Sequence, residues 1–296
     1  MSVDLKVAGA HFPYLPGVDI SMYQWPKGIP YSVLRELKSL GIEFIIARAS
    51  IGTRTDPSAL TTIQRVRDAG LVAGAYHFLD DSIPGEQQAD AFWGQIEKAG
   101  GPTGIILVND LEVVAGNVPT AKQGRAWATR MGSLAGTRTP LTLYTNRSSA
   151  VRIGNPDFNG LYDNLWQALW TQSETLERGL SLPLHAPRAG FLGFRDAPLW
   201  QYGPCKFTFR GKRHSIDGNA FYGTRAELES LANVKRPPLP DRPNYRVGYE
   251  AARSAIEDAI KGLTQPQLPA GPAAPAGWDE ALADGLAAID DIKLGG

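Results

Sequence analysis

The sequence predicts an α/β fold, and three observations favour a closed barrel. Strand-like and helix-like segments alternate between about residues 17 and 223, as in parallel strands joined by right-handed helical crossovers. Eight strand candidates can be counted, which is the number that closes a barrel of the TIM type. No phosphate loop or Gly-x-Gly-x-x-Gly motif follows the first strand, which weakens the alternative of an open, doubly wound, nucleotide-binding sheet.

The elements follow from apolar content and spacing. Apolar and β-branched runs predict strands at residues 18–21, 44–50, 72–78, 105–112, 141–145, 165–170, 199–202 and 215–217. Apolar residues at helical spacing predict helices over 31–40, 57–69, 84–99 and 120–135, with Gly41 and Gly70 ending the first two. The last strands lie too close along the chain for helices between all of them, so strict alternation ends there.

Composition excludes several function classes. The chain has 296 residues with 30 basic and 30 acidic side chains, so its formal net charge is zero. No basic field favours nucleic acid or an anionic membrane surface as a partner. No run approaches 18 apolar residues, so we expect no membrane insertion. The single cysteine, Cys205, excludes an intrachain disulfide and is expected to be a packing residue.

The composition changes near the end of the barrel region. We therefore predict a barrel domain over residues 1–233, a Pro-rich linker over 234–244, and a helical tail over 245–296 with a break rich in Pro, Ala and Gly. The tail has too few helices for its own core. We expect it to pack on the barrel, self-associate or bind a partner.

Two carboxylates, Asp110 and Glu112, end the buried apolar run at 105–108. In a strand they would point the same way, with Cα atoms about 6.5 Å apart. Repulsion between them would separate their pKa values, so that one stays protonated while the other is ionised. Glycosidic bond cleavage needs that division of roles, although caps of the next turn are the structural alternative.

Two further acids, Asp19 and Asp217, fall at predicted ends of the first and last strands. These strands are neighbours in a closed barrel, and the active site of such barrels lies at the C-terminal ends of the strands. A barrel mouth is only about 15 Å across. The sequence therefore predicts that Asp19, Asp110, Glu112 and Asp217 share one cleft, with a turn at Asp217-Gly218-Asn219 as the alternative for the last acid.

Aromatic residues near the strand ends are candidates for sugar contact, chiefly Tyr76, Tyr144 and Trp200, with core packing as the alternative. His77 has no second His or Cys at ligand spacing, so we predict a structural histidine, no metal site and no cofactor. The chain contains neither a Gly-x-Ser-x-Gly nor a His-Glu-x-x-His motif, which leaves a serine or zinc hydrolase unsupported.

Taken in order, the motifs resemble glycoside hydrolase family 25, the Chalaropsis-type lysozymes. The resemblance covers about residues 16–223. It rests on Gly17-Val18-Asp19-Ile20-Ser21, the strands at 44–50 and 72–78, Asp110-Leu111-Glu112, Tyr144-Thr145, Leu165-Trp166-Gln167-Ala168, Trp200-Gln201-Tyr202 and Ile216-Asp217-Gly218-Asn219-Ala220-Phe221.

The resemblance implies an irregular (β/α)5(β)3 barrel. It also implies cleavage of the β-1,4 bond between N-acetylmuramic acid and N-acetylglucosamine in peptidoglycan. By motif position Glu112 would be the general acid and Asp110 its partner, while Asp19 and Asp217 orient the sugar and tune the pKa of Glu112. Gln201 and Asn219 join the aromatic residues as expected substrate contacts.

The resemblance and the amino-terminal sequence together suggest a setting. Residues 1–6 do not read as a signal peptide. We therefore expect a phage product made in the host cytoplasm, which reaches the wall through a holin pore or as part of a virion, where the 245–296 tail could bind a partner. The alternatives are a virion-associated structural or wall-binding protein with little turnover, and a barrel glycosidase acting on chitin or a capsule.

Overall fold

The computed structural model describes residues 14–136, 139–170 and 190–234. Linker residues 235–244 and the tail at 245–296 lie outside this range. The elements in chain order are β1 (Leu15–Ile20), α1 (Tyr31–Ser39), β2 (Phe44–Ile51), β3 (Arg54–Thr55), α2 (Ala59–Asp68), β4 (Val72–Phe78), α3 (Gly85–Lys98), β5 (Ile105–Asp110), α4 (Ala121–Ala135), β6 (Leu141–Asn146), α5 (Arg147–Arg152), β7 (Asn164–Ala168), β8 (Leu199–Phe209), β9 (Lys212–Phe221) and α6 (Arg225–Leu231).

Eight of the described strands form a closed barrel. Their order around it is β1-β9-β8-β7-β6-β5-β4-β2, and the pairing of β1 with β2 closes the ring, while the short β3 pairs only with the end of β2. Five strand–helix units come first along the chain, followed by β7, β8 and β9. The predicted barrel is confirmed, and the open sheet is excluded because β1 has a partner on both sides.

The expectation of a parallel sheet is wrong for one strand. β9 runs antiparallel to both β8 and β1, while the other barrel pairs are parallel. The two short strands predicted at 199–202 and 215–217 belong to one long hairpin, turned at Arg210 and Gly211 with φ of 48° and 76°. A two-residue turn of this kind forces neighbouring strands to run in opposite directions.

Alternating side chains build two apolar layers. Phe44, Ile46, Ile106 and Val108 point into the barrel, while their neighbours along each strand pack against the helices outside. Phe44 lies so close to Gly17 that a Cβ there would sit 2.3 Å from its ring, which explains the glycine in β1.

The lower end of the barrel has a floor. Leu228 of α6 and Ala232 beyond it are fully buried against the interior cluster. Ala232 also accepts a hydrogen bond from Gly104 N at 2.7 Å, just before β5 begins. In the described ranges, no helix combines the length and the apolar character needed to cross a bilayer.

Two predicted strands are shorter than expected at their C-terminal ends. The strand predicted at 105–112 ends at Asp110, and the one predicted at 165–170 ends at Ala168. Past these points the chain leaves the ladder at the barrel mouth, so Glu112 and Trp170 belong to loops.

Candidate active site

The four predicted acids line one cavity of about 210 Å³ at the mouth of the barrel. Asp19 comes from β1, Asp110 from the last position of β5, Glu112 from the loop after it, and Asp217 from β9. Asp19 and Asp110 are buried, whereas Glu112 and Asp217 are half-buried and in reach of a ligand.

Asp110 and Glu112 face the cavity although only Asp110 is in the strand. Leu111 N donates to Tyr144 O at 3.0 Å, one residue beyond the last ladder pair. The Leu111 side chain packs in the outer layer. Side chains therefore continue to alternate between the two faces for two residues beyond the strand, so Glu112 faces the cavity as Asp110 does.

Asp19 and Asp217 are direct partners in the ladder between β1 and β9. Opposite residues of an antiparallel pair project to the same side. Their predicted proximity therefore holds, but for a different reason. Asp217 lies in the middle of a reversed strand, and not at the C-terminal end of a parallel one.

Two amides hold the Asp19 carboxylate. Gln201 Nε2 donates to Asp19 Oδ2 at 2.9 Å, and Asn219 Nδ2 donates to the same oxygen at 2.8 Å. Gln201 Oε1 accepts from the Tyr144 hydroxyl and from Trp170 Nε1, both at 2.8 Å. Gln201 lines the cavity. Asn219 is fully buried behind it, so the structure places Asn219 as a support for Asp19 and not as a substrate contact.

Burial raises the pKa of every carboxylate in the cleft, and repulsion between the carboxylates adds to the rise for Asp19, Asp110 and Glu112. The pKa values of Asp19 and Asp110 lie well above the usual range, first because the groups are buried and then because Asp217 and Glu112, respectively, repel their charge. Burial raises the pKa of Asp217 to about 6. The site therefore holds protons at a pH at which ordinary carboxyl groups have lost them.

Glu112 has a raised pKa as well, and hydrogen bonds limit the rise. Burial raises it, the Asn146 amide and the Tyr144 hydroxyl oppose the rise, and Asp217 adds to it. Asn146 Nδ2 donates to Glu112 Oε1 at 3.0 Å. Asp110 differs, since its Oδ1 is buried without a hydrogen-bond partner among the described residues. An acceptor buried without a donor disfavours the ionised carboxylate, in line with the raised pKa of Asp110.

The aromatic predictions divide into two groups. Tyr76 and Tyr144 line the cavity as expected, together with Phe78, Trp166 and Trp170. Trp200 does not, since its indole packs in the outer layer, 5.6 Å from the Tyr202 ring between centroids, and donates to Leu169 O. The expectation for Trp200 fails because β8 turns its neighbours Leu199 and Gln201 inward.

Arg48 also lines the cavity, and sequence reasoning missed it. It is buried and paired with Asp56 at 3.1 Å between Nε and Oδ2. Asp56 Oδ2 also accepts from Met22 N at 3.1 Å, which ties the loop after β1 to the loop after β3. A charged residue in the otherwise apolar run of β2 was the signal available in the sequence.

His77 is structural, as predicted. It is fully buried in the outer layer, with Ser50 Oγ 2.8 Å from Nδ1 and Gln88 Oε1 3.1 Å from Nε2. Its ring stacks on Trp127 at 5.9 Å between centroids. Burial lowers its pKa to about 4, so the ring is neutral at pH 7.

A family model describing glycosyl hydrolases family 25 matches residues 18–204, which is more than half of the chain and includes Asp19, Asp110 and Glu112. The chain belongs to glycosyl hydrolases family 25. It is therefore a glycoside hydrolase.

Solved structures agree with the family 25 fold. The bacterial lysozyme from Streptomyces coelicolor is 26% identical with a TM-score of 0.57, and the match covers 74% of this chain and 97% of that one. The catalytic domain of endolysin ply40 from bacteriophage P40 of Listeria monocytogenes is 21% identical with a TM-score of 0.53, covering 76% and 99%. No curated protein sequence matches this chain significantly.

Proposed function

We propose that this family 25 enzyme is an N-acetylmuramidase, a lysozyme that cleaves the β-1,4 bond between N-acetylmuramic acid and N-acetylglucosamine in peptidoglycan. The observation that carries the proposal is Glu112: a half-buried carboxyl group with a raised pKa, beside three further carboxylates in one cavity. Family membership and the likeness to the Streptomyces coelicolor lysozyme support peptidoglycan as the substrate.

In the proposed mechanism Glu112 donates its proton to the glycosidic oxygen as that bond breaks. Asp110 sits beside the positive charge that develops at the anomeric carbon. Its carboxylate, which lines the cavity, can attack that carbon, or accept the N–H of the acetamido group while that group's own oxygen attacks. Water then gives its proton to Glu112 and its hydroxide to the anomeric carbon, and the bond from that carbon to Asp110, or to the acetamido oxygen, breaks. In the second route Asp110 also returns the N–H proton to the acetamido nitrogen. Both routes retain the anomeric configuration.

Asp19 and Asp217 have supporting roles in this proposal. The two amides fix Asp19 Oδ2, and we assign the remaining oxygen of this cavity-lining carboxylate to the sugar. The charge of Asp217 helps to keep Glu112 protonated. Tyr76 and Tyr144 supply flat faces in the cavity wall on which sugar rings can pack.

The deciding experiment is digestion of purified peptidoglycan, borohydride reduction of the products, and mass spectrometry of the reduced ends. A muramidase gives reduced muramic acid. Reduced glucosamine would instead show that the other glycosidic bond is cut. Release of no ends at all would favour the alternative, a wall-binding protein with little turnover. Cleavage of chitin in preference to peptidoglycan would show that the enzyme is another barrel glycosidase.

The role of Glu112 is tested by Glu112→Gln. This substitution keeps the side-chain shape but removes the proton donor, so kcat should fall by about 10²- to 10⁴-fold with an unchanged folded circular dichroism spectrum. Glu97→Gln, on an exposed position of α3, is the matched control and should leave activity unchanged. Full activity of Glu112→Gln would remove the proposed acid.

The setting is a separate proposal: a phage endolysin made in the host cytoplasm. Expression in a sensitive bacterium with and without a holin tests it. Lysis that needs the holin supports release through a pore, whereas recovery of the protein in purified virions supports the virion-associated role. Lysis without a holin would show that the protein reaches the wall by another route.

A further inference from the structure

The hairpin of β8 and β9 has one polar and one apolar face. Lys206 lies opposite Ser215, and Thr208 lies opposite Arg213, in the ladder that joins the two strands. These four residues are exposed, while Cys205, Phe207, His214 and Ile216 between them are buried. Because opposite residues project to the same side, Lys206, Thr208, Arg213 and Ser215 form one surface, the hairpin face.

The apolar side fixes the orientation of the hairpin. The His214 ring stacks on Trp25 with 4.9 Å between centroids. Gln24 Nε2 also donates to Ser215 O at 2.9 Å. Both contacts come from the loop after β1. The apolar side of the hairpin therefore packs against that loop, and the hairpin face lies on the side away from it.

The hairpin face continues the wall of the active-site cavity. Asp217, which lines the cavity, lies on β9 two residues from Ser215 and four from Arg213, so all three project to the same side. At the rise of a strand, Ser215 and Lys206 stand about 7 Å from Asp217, and Arg213 about 13 Å. A ligand that leaves the cavity past Asp217 therefore meets this surface next.

The charge on this surface is opposite to that of the cavity. Lys206 and Arg213 are cationic, and neither makes an ion pair with the described residues. No acidic residue occurs in the sequence from Pro204 to Ile216. The cationic hairpin face therefore lies directly beside the acidic wall of the cavity, next to Asp217.

We propose that the hairpin face binds the carboxylates of the stem peptide on the glycan strand. This inference rests on the proposed function. In peptidoglycan, each muramic acid carries through its lactyl group a short peptide with free carboxylates, so an anionic branch leaves the glycan close to the bond that is cut. Lys206 and Arg213 match its charge, and the hydroxyls of Thr208 and Ser215 can pair with its amides.

The test compares three soluble glycan substrates freed of phosphate-containing polymers by hydrogen fluoride. The first carries its stem peptides, and the second carries them with carboxylates converted to amides. The third has lost them to an amidase, which leaves only the lactyl carboxylate at the sugar. On the first, Arg213→Gln and Lys206→Gln should each raise KM about two- to fivefold with kcat within twofold, as expected for exposed charge contacts. The increase should disappear on the other two substrates and in high salt.

Lys212→Gln is the matched control, because it removes one charge next to Arg213 on the other side of β9 and should change KM by less than 1.5-fold. The proposal is overturned if Lys212→Gln matches Arg213→Gln, or if the effect persists without stem carboxylates. It is also overturned if the variants are impaired only on wall material that retains its phosphate polymers. A wild-type protein that releases no reducing ends from any substrate would instead refute the muramidase function.

Discussion

The carboxylates of the cleft differ in the hydrogen bonds that they accept, and these hydrogen bonds suit each carboxylate to a different role. Asp19 accepts two amide hydrogen bonds on one oxygen, Glu112 accepts one from Asn146, and Asp110 Oδ1 accepts none from the described residues. Asp19, Asp110 and Glu112 could be predicted, because the C-terminal strand ends of a barrel converge on one mouth, whereas Asp217 joins them through an antiparallel pairing that the sequence did not reveal. Their partners could not, because Gln201 and Asn219 lie about 180 and 200 residues from Asp19.

The Asn146 amide sets the pH range of the proposed acid. Its hydrogen bond to Glu112 Oε1 favours the ionised carboxylate and so lowers the pKa. Asn146→Ser removes this bond, so the pKa of Glu112 should rise and the alkaline limb of the profile of kcat against pH should move to higher pH. Steady-state kinetics on soluble peptidoglycan between pH 4 and 9 measure the shift.

Serine is chosen because Asn146 also caps α5, with Oδ1 accepting from Ser149 N at 2.8 Å. A serine hydroxyl can still cap the helix. The thermal midpoint should therefore change little. An alkaline limb that stays in place, or moves to lower pH, would contradict the role given to Asn146.

At the scale of elements, periodicity predicted the first four strand–helix units and β6 well, but it missed the short helix α5 and predicted the end of the barrel poorly. The predicted strand at 72–78 and the observed β4 coincide, and the helices differ by at most two residues at each end. The hairpin was missed because the part of it next to the turn, residues 204–215, carries polar residues on one face. Which residues of β8 face inward depends on pairing with distant strands, so Trp200 was placed on the wrong side.

The loops after β1 and β3 depend on the buried pair of Arg48 and Asp56. Asp56→Ala leaves the Arg48 charge buried without its partner and also removes the acceptor for Met22 N. We expect the free energy of unfolding to fall by about 3–5 kcal/mol, measured by denaturant titration.

The control is Asp90→Ala, which breaks the ion pair with Arg130 at 2.7 Å. Both of its side chains are about half exposed, so the loss should be below about 1 kcal/mol. Equal losses in the two variants would mean that burial of the Arg48 pair has no energetic consequence.

For the whole molecule, His77 and the cleft acids give stability opposite dependences on pH. The folded pKa of His77 is about 4, below the value of 6.5 for an unfolded chain. The unfolded state therefore takes up the proton first, and His77 lowers the free energy of unfolding as the pH falls from about 6.5 to 4. The cleft acids have raised pKa values, so their protonation in the folded state raises that free energy as the pH falls.

The His77 contribution can be isolated by comparing the wild type with His77→Gln. The difference of about 2.5 pKa units corresponds to about 3 kcal/mol. Between pH 7 and pH 4 the variant should gain that amount of stability relative to the wild type, measured by denaturant titration at each pH. The contribution of the cleft acids is the same in both proteins and cancels in this comparison. Parallel curves of the free energy of unfolding against pH would contradict the lowered pKa of His77.

Among the residues that the structure describes, Phe44, Leu228 and Ala232 close the lower end of the barrel, so the cavity opens at the mouth. Solvent that completes hydrolysis must arrive by the same opening through which the departing half of the glycan leaves. We therefore expect the second half of the reaction to wait for that departure. A saccharide that remains in the opening is then placed to accept the glycosyl group in the role of water, which makes transglycosylation the natural competitor of hydrolysis at high substrate concentration.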